Sequence, residues 1–273
     1  MNNKPMISAV MCTYGRFTCV ERAMNCFLAQ TYPNKELIIF NTDVDSPYKD
    51  DGCKLIPYGI LIINCNNDSV TNLPYTNVGA IRRDALMFAS GDYVCTFDDD
   101  DVFLPHYMEQ AIDRMAETRL PSFKPEMSFF YCGGRLSLVK NTLEASVIAD
   151  RQLVRKYGYL LETGKEGLGW YTKMRDHREL DENDSRYVPS YCFNWNDGAE
   201  MKAPHKQSGD IDNKDNFENH KAASVDRVDG RELTIWDAKK MEETYRVYFD
   251  FIKENRHTFP PDLLGKYYPD MIG

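Results

Sequence analysis

The sequence lacks three patterns that are typical of membrane, secreted or nucleic-acid-binding proteins. None of its 273 residues belongs to an unbroken apolar run of about 18 or more, so we expect no transmembrane segment. No stripe rich in Lys and Arg offsets the formal net charge of -9, which argues against blanket neutralisation of nucleic-acid phosphates. Its eight cysteines contain no C-x-x-C pair, and several lie in apolar segments as small hydrophobic side chains. We therefore expect no signal peptide and a reduced, cytoplasmic setting.

The first half of the chain alternates strands with helices. A hydrophobic content of 42% can fill one large core, so we expect one domain with a tail. Short, nearly continuous apolar runs predict strands at 6–11, 37–40, 59–64 and 93–97. Helical spacing predicts a helix capped by Thr18, a helix over 78–90 that stops at Ser90-Gly91, and a helix from Tyr107. This order predicts an α/β fold with a mostly parallel sheet and ligands beyond the carboxyl ends of its strands.

The second half is less regular. The pattern predicts strands around Gly133-Gly134, a short helix over 150–157 and a longer helix over 236–253. Polar residues dominate 194–224, where we expect long loops, and the end of the chain from Pro260 reads as a surface tail.

Four consecutive carboxylates, Asp98 to Asp101, follow the predicted strand at 93–97, and we expect a helix to begin just after them. Two like charges about 4 Å apart repel by about 4 kcal/mol at an effective dielectric of about 20. The cluster therefore requires a counter-cation, and a divalent metal is the simplest candidate.

Several motifs in fixed order resemble the family 2 inverting glycosyltransferases of the GT-A fold. They are the segments 7–16, 28–34, 77–84 and 91–101. The resemblance covers about the first 110 residues well and the remainder in patches. It implies a GT-A type, Rossmann-like, mostly parallel sheet flanked by helices, with an irregular C-terminal acceptor half. It implies a domain over 1–230, with a nucleotide-sugar half at 1–110 and an acceptor half at 111–230; a C-terminal helix and tail at 231–273 would pack on it.

The metal motif of that family is D-x-D, and Asp98-Asp99-Asp100 match it here. By resemblance, Asp100 would bind Mn²⁺ or Mg²⁺ against the donor's two phosphates, while Asp98 and Asp99 would face the ribose and sugar. Hard divalent cations prefer carboxylate oxygen, which agrees with this assignment. His205 lies in a segment that resembles one where a histidine approaches the metal, and it could complete the coordination.

The resemblance also implies residues that grip the nucleotide. Asn41 stands where the family usually has Asp, and an amide can still contact a base because it both donates and accepts hydrogen bonds. Asp43 is the alternative residue for this base contact. A guanidinium at Arg82 could hold phosphate or base. The donor-binding residues expected by resemblance are Thr13, Tyr14, Arg16, Asn41, Asp43, Arg82, Asp98 and Asp99.

The family's catalytic base lies in a Glu-Asp pair before a helix. Here Glu166 is present and Gly167 replaces the expected Asp. Removing a proton from the attacking hydroxyl requires a carboxylate within about 3 Å, so Glu166 is the predicted base. Asp176 and Glu162 are the reserves.

The expected reaction is metal-dependent transfer of a sugar, with inversion, from a nucleoside-diphosphate sugar such as a UDP-sugar to an acceptor hydroxyl. The acceptor is left open among a saccharide, a lipid-linked sugar, a protein, a metabolite and a modified nucleobase. A nucleotidyltransferase is a second reading, although residues 13–16 lack the Gly-rich loop and Lys of that class. A non-catalytic module that binds sugar nucleotides is a third, because of Gly167.

Overall fold

The computed structural model describes residues 4–50, 53–161, 165–182, 186–195 and 232–271. The strands are β1 (Ile7–Thr13), β2 (Lys35–Asn41), β3 (Ile60–Asn64), β4 (Tyr93–Thr96), β5 (Val102–Phe103), β6 (Ser122–Phe123), β7 (Met127–Cys132), β8 (Arg135–Lys140), β9 (Ile148–Asp150) and β10 (Tyr191–Trp195). The helices are α1 (Phe17–Leu28), α2 (Val78–Leu86), α3 (Tyr107–Thr118), α4 (Arg151–Tyr157), α5 (Leu168–Asp176), α6 (Ala238–Glu254) and α7 (Pro261–Tyr267).

The main sheet has six strands in the order β3-β2-β1-β4-β9-β6. Its first four strands are parallel, and β9 runs antiparallel to both of its neighbours. A mainly parallel sheet flanked by helices confirms the predicted α/β class. The carboxyl ends of the four parallel strands share one edge of the sheet, which is where such folds bind ligands.

Both faces of the main sheet are covered. Ile7, Ala9 and Met11 of β1 belong to one buried cluster, with side chains of α1 and α3. Val10 belongs to a second buried cluster, with side chains of α2, α4 and α5. Because neighbouring residues of a strand point to opposite faces, a strand covered on both sides must be apolar almost throughout. This explains the continuous apolar run in the sequence.

A second sheet has the order β5-β10-β7-β8. The hairpin of β7 and β8 confirms the strands predicted around Gly133-Gly134, and α4 confirms the short helix after Asp150. Helix α6 packs beside this sheet, with the Tyr248 ring 5.6 Å from that of Phe129. The domain boundaries expected from the sequence remain predictions.

Three local predictions differ from the structure. Helix α1 begins at Phe17, and its N-cap position is occupied by Arg16 rather than Thr18. Helix α2 ends at Leu86, before Ser90-Gly91, and leaves the Phe88 side chain 48% exposed. No helix follows Asp101 directly, because Val102–Phe103 pairs with β10 as a strand.

The surface tail predicted from Pro260 is wrong. Pro261 begins α7, where proline suits the first helical turn because it has no backbone N–H to leave unpaired. Leu264 and Tyr268 are buried, and the Tyr268 hydroxyl lies 3.2 Å from Nε2 of the buried His106. The end of the described chain is therefore part of the core.

Within the described residues, every helix is too short or too polar to cross a bilayer. All eight cysteines are described, and all are free thiols.

Candidate active site

The four aspartates form a tight turn between two buried phenylalanines. Phe97 and Phe103 stack with ring centroids 3.8 Å apart, and the Asp101 N–H donates to the Asp98 carbonyl at 3.4 Å. The parallel register pairs Val10 of β1 with Thr96 of β4, so both strands end at the same edge of the sheet. This arrangement brings the turn after β1 next to the aspartates.

Arg16 binds two of the aspartates from that turn. Its Nη2 lies 2.5 Å from Asp99 Oδ1, and its Nη1 donates to Asp100 Oδ2 at 2.9 Å. Gly15 has a φ of 60°, a left-handed conformation in which glycine carries no steric penalty. The glycine therefore permits the turn that presents Arg16 to the acidic cluster.

Asp99 is fully buried, and burial raises the pKa of its carboxyl to about 7. The positive charge of Arg16 opposes this rise, while the charge of Asp100 adds to it. A neighbouring hydroxyl, that of Thr13, also lowers the pKa of Asp99. Asp100 is more accessible, with a side chain 21% exposed.

Asp101 faces away from this group, into the second sheet. Its carboxylate accepts hydrogen bonds from the Tyr191 hydroxyl at 2.5 Å and from the Asn194 N–H at 3.1 Å. Burial raises the pKa of Asp101 well above its usual range. The fourth aspartate thus ties β10 to the acidic turn.

Two residues that the sequence did not single out fix the backbone of the turn. Arg22 Nη2 donates to the Asp100 carbonyl at 2.8 Å, and Asn194 Nδ2 donates to the same carbonyl at 3.0 Å. Arg22 lies on α1 and Asn194 on β10, so no local sequence pattern connects them with Asp100.

Arg82 joins Asp98 to Glu166. Its Nη2 lies 2.9 Å from Asp98 Oδ1 and 3.5 Å from Glu166 Oε1. Both Arg82 and Glu166 are buried. Among the described residues, Arg82 Nε and Nη1 and Glu166 Oε2 have no hydrogen-bond partner. Buried polar atoms are nearly always paired, so these atoms point to a ligand.

The side chains of the two predicted base-contacting residues form hydrogen bonds with nearby groups of the protein. Asn41 Nδ2 donates to the Asp43 carbonyl at 3.0 Å and to Asn64 Oδ1 at 2.9 Å. Asp43 Oδ1 accepts from the Asp45 N–H at 3.2 Å. Both side chains are buried. Their contact with a base remains a prediction, as does that of Tyr14, which is half-buried in the turn after β1.

Two arginines supply part of the counter-charge that the sequence predicts for the aspartates, and the metal itself remains a prediction. Arg16 and Arg82 already neutralise part of the charge of the aspartates. No group of three or more metal-binding side chains is assembled within the described ranges. The donor set nevertheless fits a hard cation, because Asp98 and Asp100 supply carboxylate oxygen and both are partly exposed.

The other predicted residues fall in different places. His205 and Glu162 lie outside the described residues. Asp176 is exposed at the far end of α5, whereas Glu166 lies just before the start of that helix. Of the two predicted carboxylates that the structure describes, Glu166 is the one that contacts Arg82.

Comparison with known proteins agrees with the resemblance found in the sequence. The model of the family described as "Glycosyl transferase family 2" matches residues 69–128, a stretch that contains Arg82 and all four aspartates. Over this stretch the chain is similar to the family 2 glycosyltransferases. Over 106 residues it is 31% identical to the putative colanic acid biosynthesis glycosyl transferase WcaA of Escherichia coli K12. That alignment covers 39% of this chain and 36% of WcaA.

A second relative aligns over a longer stretch. It is the E. coli UDP-Glc:alpha-D-GlcNAc-diphosphoundecaprenol beta-1,3-glucosyltransferase WfgD, 24% identical over 176 residues. That alignment covers 64% of this chain and 62% of WfgD. The chain thus spans between about a third and three fifths of the length of the two relatives.

The fold is shared with a solved glycosyltransferase structure. Residues 1-349 of Staphylococcus aureus TarS in complex with UDP-GlcNAc superpose with a TM-score of 0.52 and 13% sequence identity. The superposition covers 94% of this chain and 82% of that one. At this identity the likeness concerns the fold, and it confirms the predicted GT-A architecture.

Proposed function

We propose that this protein is a metal-dependent inverting glycosyltransferase that moves a sugar from a UDP-sugar to an acceptor hydroxyl. The observation that carries the proposal is the convergence of Arg16, Arg82, Glu166 and the aspartates at the carboxyl end of β4. The matched family stretch includes that strand end. TarS, which shares the fold, was crystallised with UDP and with UDP-GlcNAc, and the name of WfgD specifies UDP-Glc.

Donor binding would exchange the ion pairs of the free protein. Asp99 and Asp100 are held by Arg16, and Asp98 by Arg82. The metal ion would pair with the carboxylates and so release the two arginines. The arginines would then bind the diphosphate, because Arg binds phosphate through paired N–H groups. Asp98 and Asp100 would hold Mn²⁺ or Mg²⁺, which supplies positive charge to the departing diphosphate.

Glu166 is the base in this proposal. Its Oε1 is oriented by Arg82 at 3.5 Å, and its Oε2 has no hydrogen-bond partner among the described residues. It would take the proton of the hydroxyl as that oxygen attacks the anomeric carbon from the face opposite the diphosphate. Arg16 and Arg82 would stabilise the negative charge that develops on the leaving group.

A nucleotidyltransferase is the weaker alternative. It would also use a metal and the end of a parallel sheet, but its chemistry does not require a base at Glu166. A binding module without catalysis would retain the arginines and aspartates and show no turnover. A nucleotidyltransferase predicts that Glu166→Gln leaves the rate of its reaction unchanged, and a binding module predicts no turnover in the wild type either.

The test is a thermal-shift screen with a panel of sugar nucleotides in the presence of Mn²⁺, followed by an assay of nucleotide release. A donor that binds the folded state raises the melting temperature. Asp100→Ala is expected to abolish Mn²⁺-dependent stabilisation by the donor. Glu166→Gln is expected to keep the stabilisation and reduce turnover by at least about a hundredfold, as for loss of a general base.

Two outcomes contradict this assignment. If Asp100→Ala binds and turns over the donor normally, the metal role is wrong. If Glu166→Gln turns over normally while Asp176→Asn does not, the base is Asp176 and the geometry has been misread.

A further inference from the structure

A second acidic side chain, Glu144, comes from a distant part of the chain to lie beside Gly167, the residue after Glu166. Glu144 opens a single helical turn, 144–146, immediately before β9. Strand β9 is antiparallel to β4, with Ile148 opposite Cys95. Residues that precede Ile148 therefore lie beside the carboxyl end of β4, where the aspartates are.

Glu144 occupies the space that a side chain at position 167 would need. A Cβ built on Gly167 would lie 2.2 Å from Glu144 Cγ and 3.0 Å from both Cδ and Oε1. Contacts under 3.0 Å are not found for real Cβ atoms, so a side chain at position 167 requires the Glu144 side chain to move. Gly167 is the residue that departs from the Glu-Asp pair expected by resemblance.

The position of Glu144 is electrostatically costly. It interacts with Arg82, Glu166 and Asp98, so three carboxylates share one guanidinium. Burial raises the pKa of Glu144, and the charges of Glu166 and Asp98 raise it further against the opposing effect of Arg82. Glu144 is half-buried, and an apolar side chain would fill the same space without the repulsion from Glu166 and Asp98. A structural filler is therefore a poor explanation of an acid at this place.

We propose that Glu144 is the second carboxylate of the acceptor site and takes the place of the acidic side chain that Gly167 lacks. It accepts a hydrogen bond from a second O–H of the acceptor, which is the other O–H of water in hydrolysis, and so holds the attacking oxygen beside Glu166. The new bond joins that oxygen to the anomeric carbon, the bond from this carbon to the diphosphate oxygen breaks, and the proton passes to Glu166. This inference rests on the proposed function.

The experiment moves the carboxylate from one position to the other. The variants are Glu144→Gln, Glu144→Ala, Gly167→Asp and the double variant Glu144→Ala/Gly167→Asp. Glu179→Gln is a matched control, since Glu179 is half-buried and accepts from the Tyr157 hydroxyl away from the site. Each protein is assayed for melting temperature, for stabilisation by UDP-glucose and UDP-GlcNAc with Mn²⁺, and for UDP release with water as acceptor.

Glu144→Gln keeps the shape of the side chain and removes a negative charge next to Glu166 and Asp98, so its melting temperature should equal or exceed that of the wild type and its donor stabilisation should be retained. Its rate of UDP release should fall about tenfold or more, as for loss of one charged hydrogen bond in the transition state. Glu144→Ala should lose at least as much. Gly167→Asp should lower the melting temperature because its Cβ meets Glu144. The double variant should recover both the melting temperature and most of the rate.

Wild-type rates for Glu144→Gln would overturn the inference. A double variant that regains the melting temperature but not the rate would overturn it too, since Glu144 would then only fill space. If the double variant does not fold, Glu144→Gln decides alone. A wild-type protein that neither binds nor cleaves a donor would contradict the proposed function itself, and this inference with it.

Discussion

Replacing Arg82 by Met should show how much the ion pairs of Arg82 contribute to the stability of the protein. Arg82 is 7% exposed and holds Asp98 at 2.9 Å and Glu166 at 3.5 Å. Met has an apolar side chain of similar length to the aliphatic part of Arg, so the substitution preserves most of the packing. The substitution leaves the carboxylates of Asp98, Glu144 and Glu166 without their shared cation.

The cost follows from the burial of the partners. Asp98 and Glu166 have side chains 23% and 8% exposed, so water screens them poorly. Removing one partner of a buried ion pair costs about 3–5 kcal/mol. For a domain of this size each kcal/mol shifts the melting temperature by about 2–4 °C, so Arg82→Met should melt about 6–20 °C below the wild type.

Thermal unfolding followed by circular dichroism at pH 7 measures this shift. The control is Arg83→Met on the same helix, since Arg83 is 31% exposed and pairs with Asp68 and Asp84 outside the site. It should cost about 1 kcal/mol. Adding Asp98→Asn to Arg82→Met should recover part of the loss because it removes one uncompensated charge. The reasoning fails if Arg82→Met is no more damaging than Arg83→Met.

Two further predictions concern buried groups outside the acidic turn. Burial lowers the pKa of His106 to about 3, whereas the pKa of histidine in the unfolded chain is about 6.5. As the pH falls, the unfolded chain therefore binds the proton before the folded protein does. This difference lowers the free energy of unfolding by up to about 5 kcal/mol between about pH 6.5 and pH 3. Urea unfolding at pH 7 and pH 5 should therefore show a smaller loss for His106→Gln than for the wild type, and equal losses would contradict the assignment. Tyr191→Phe removes the 2.5 Å hydrogen bond to buried Asp101 and should cost about 1.5–3 kcal/mol in the same assay. Tyr267→Phe, whose hydroxyl bonds the partly exposed Asp113, should cost less, and a reversed order would refute the role given to Asp101.

The parts of the fold that the sequence predicted are those governed by local periodicity. The order from β1 to α3 was predictable because both faces of the sheet are covered and the helices carry one apolar stripe. The hairpin at Gly133-Gly134 was predictable from its turn. The strand β5 was missed because two residues carry no period, and its pairing with β10 joins positions about 90 residues apart.

In the candidate site, the acidic cluster, Arg16 and Arg82 could be found from motifs, but their mutual pairing could not. The sequence indicated four neighbouring negative charges and suggested a metal, and the structure adds arginines from α2 and from the turn before α1 as counter-charges. The position of Glu144 could not be predicted either, because it depends on the antiparallel pairing of β9 with β4, which no local pattern indicates. The one local signal was Gly167, which marked a missing side chain.

The central claim is that the turn after β4 binds the diphosphate of a sugar nucleotide together with a divalent ion. The most direct measurement is a crystal structure of the protein soaked with MnCl₂ and UDP. The account predicts an anomalous manganese peak within about 2.0–2.6 Å of carboxylate oxygens of Asp98 or Asp100, with the diphosphate between Arg16 and Arg82. Manganese and UDP bound elsewhere, or a turn whose ion pairs with both arginines persist unchanged at saturating ligand, would contradict it.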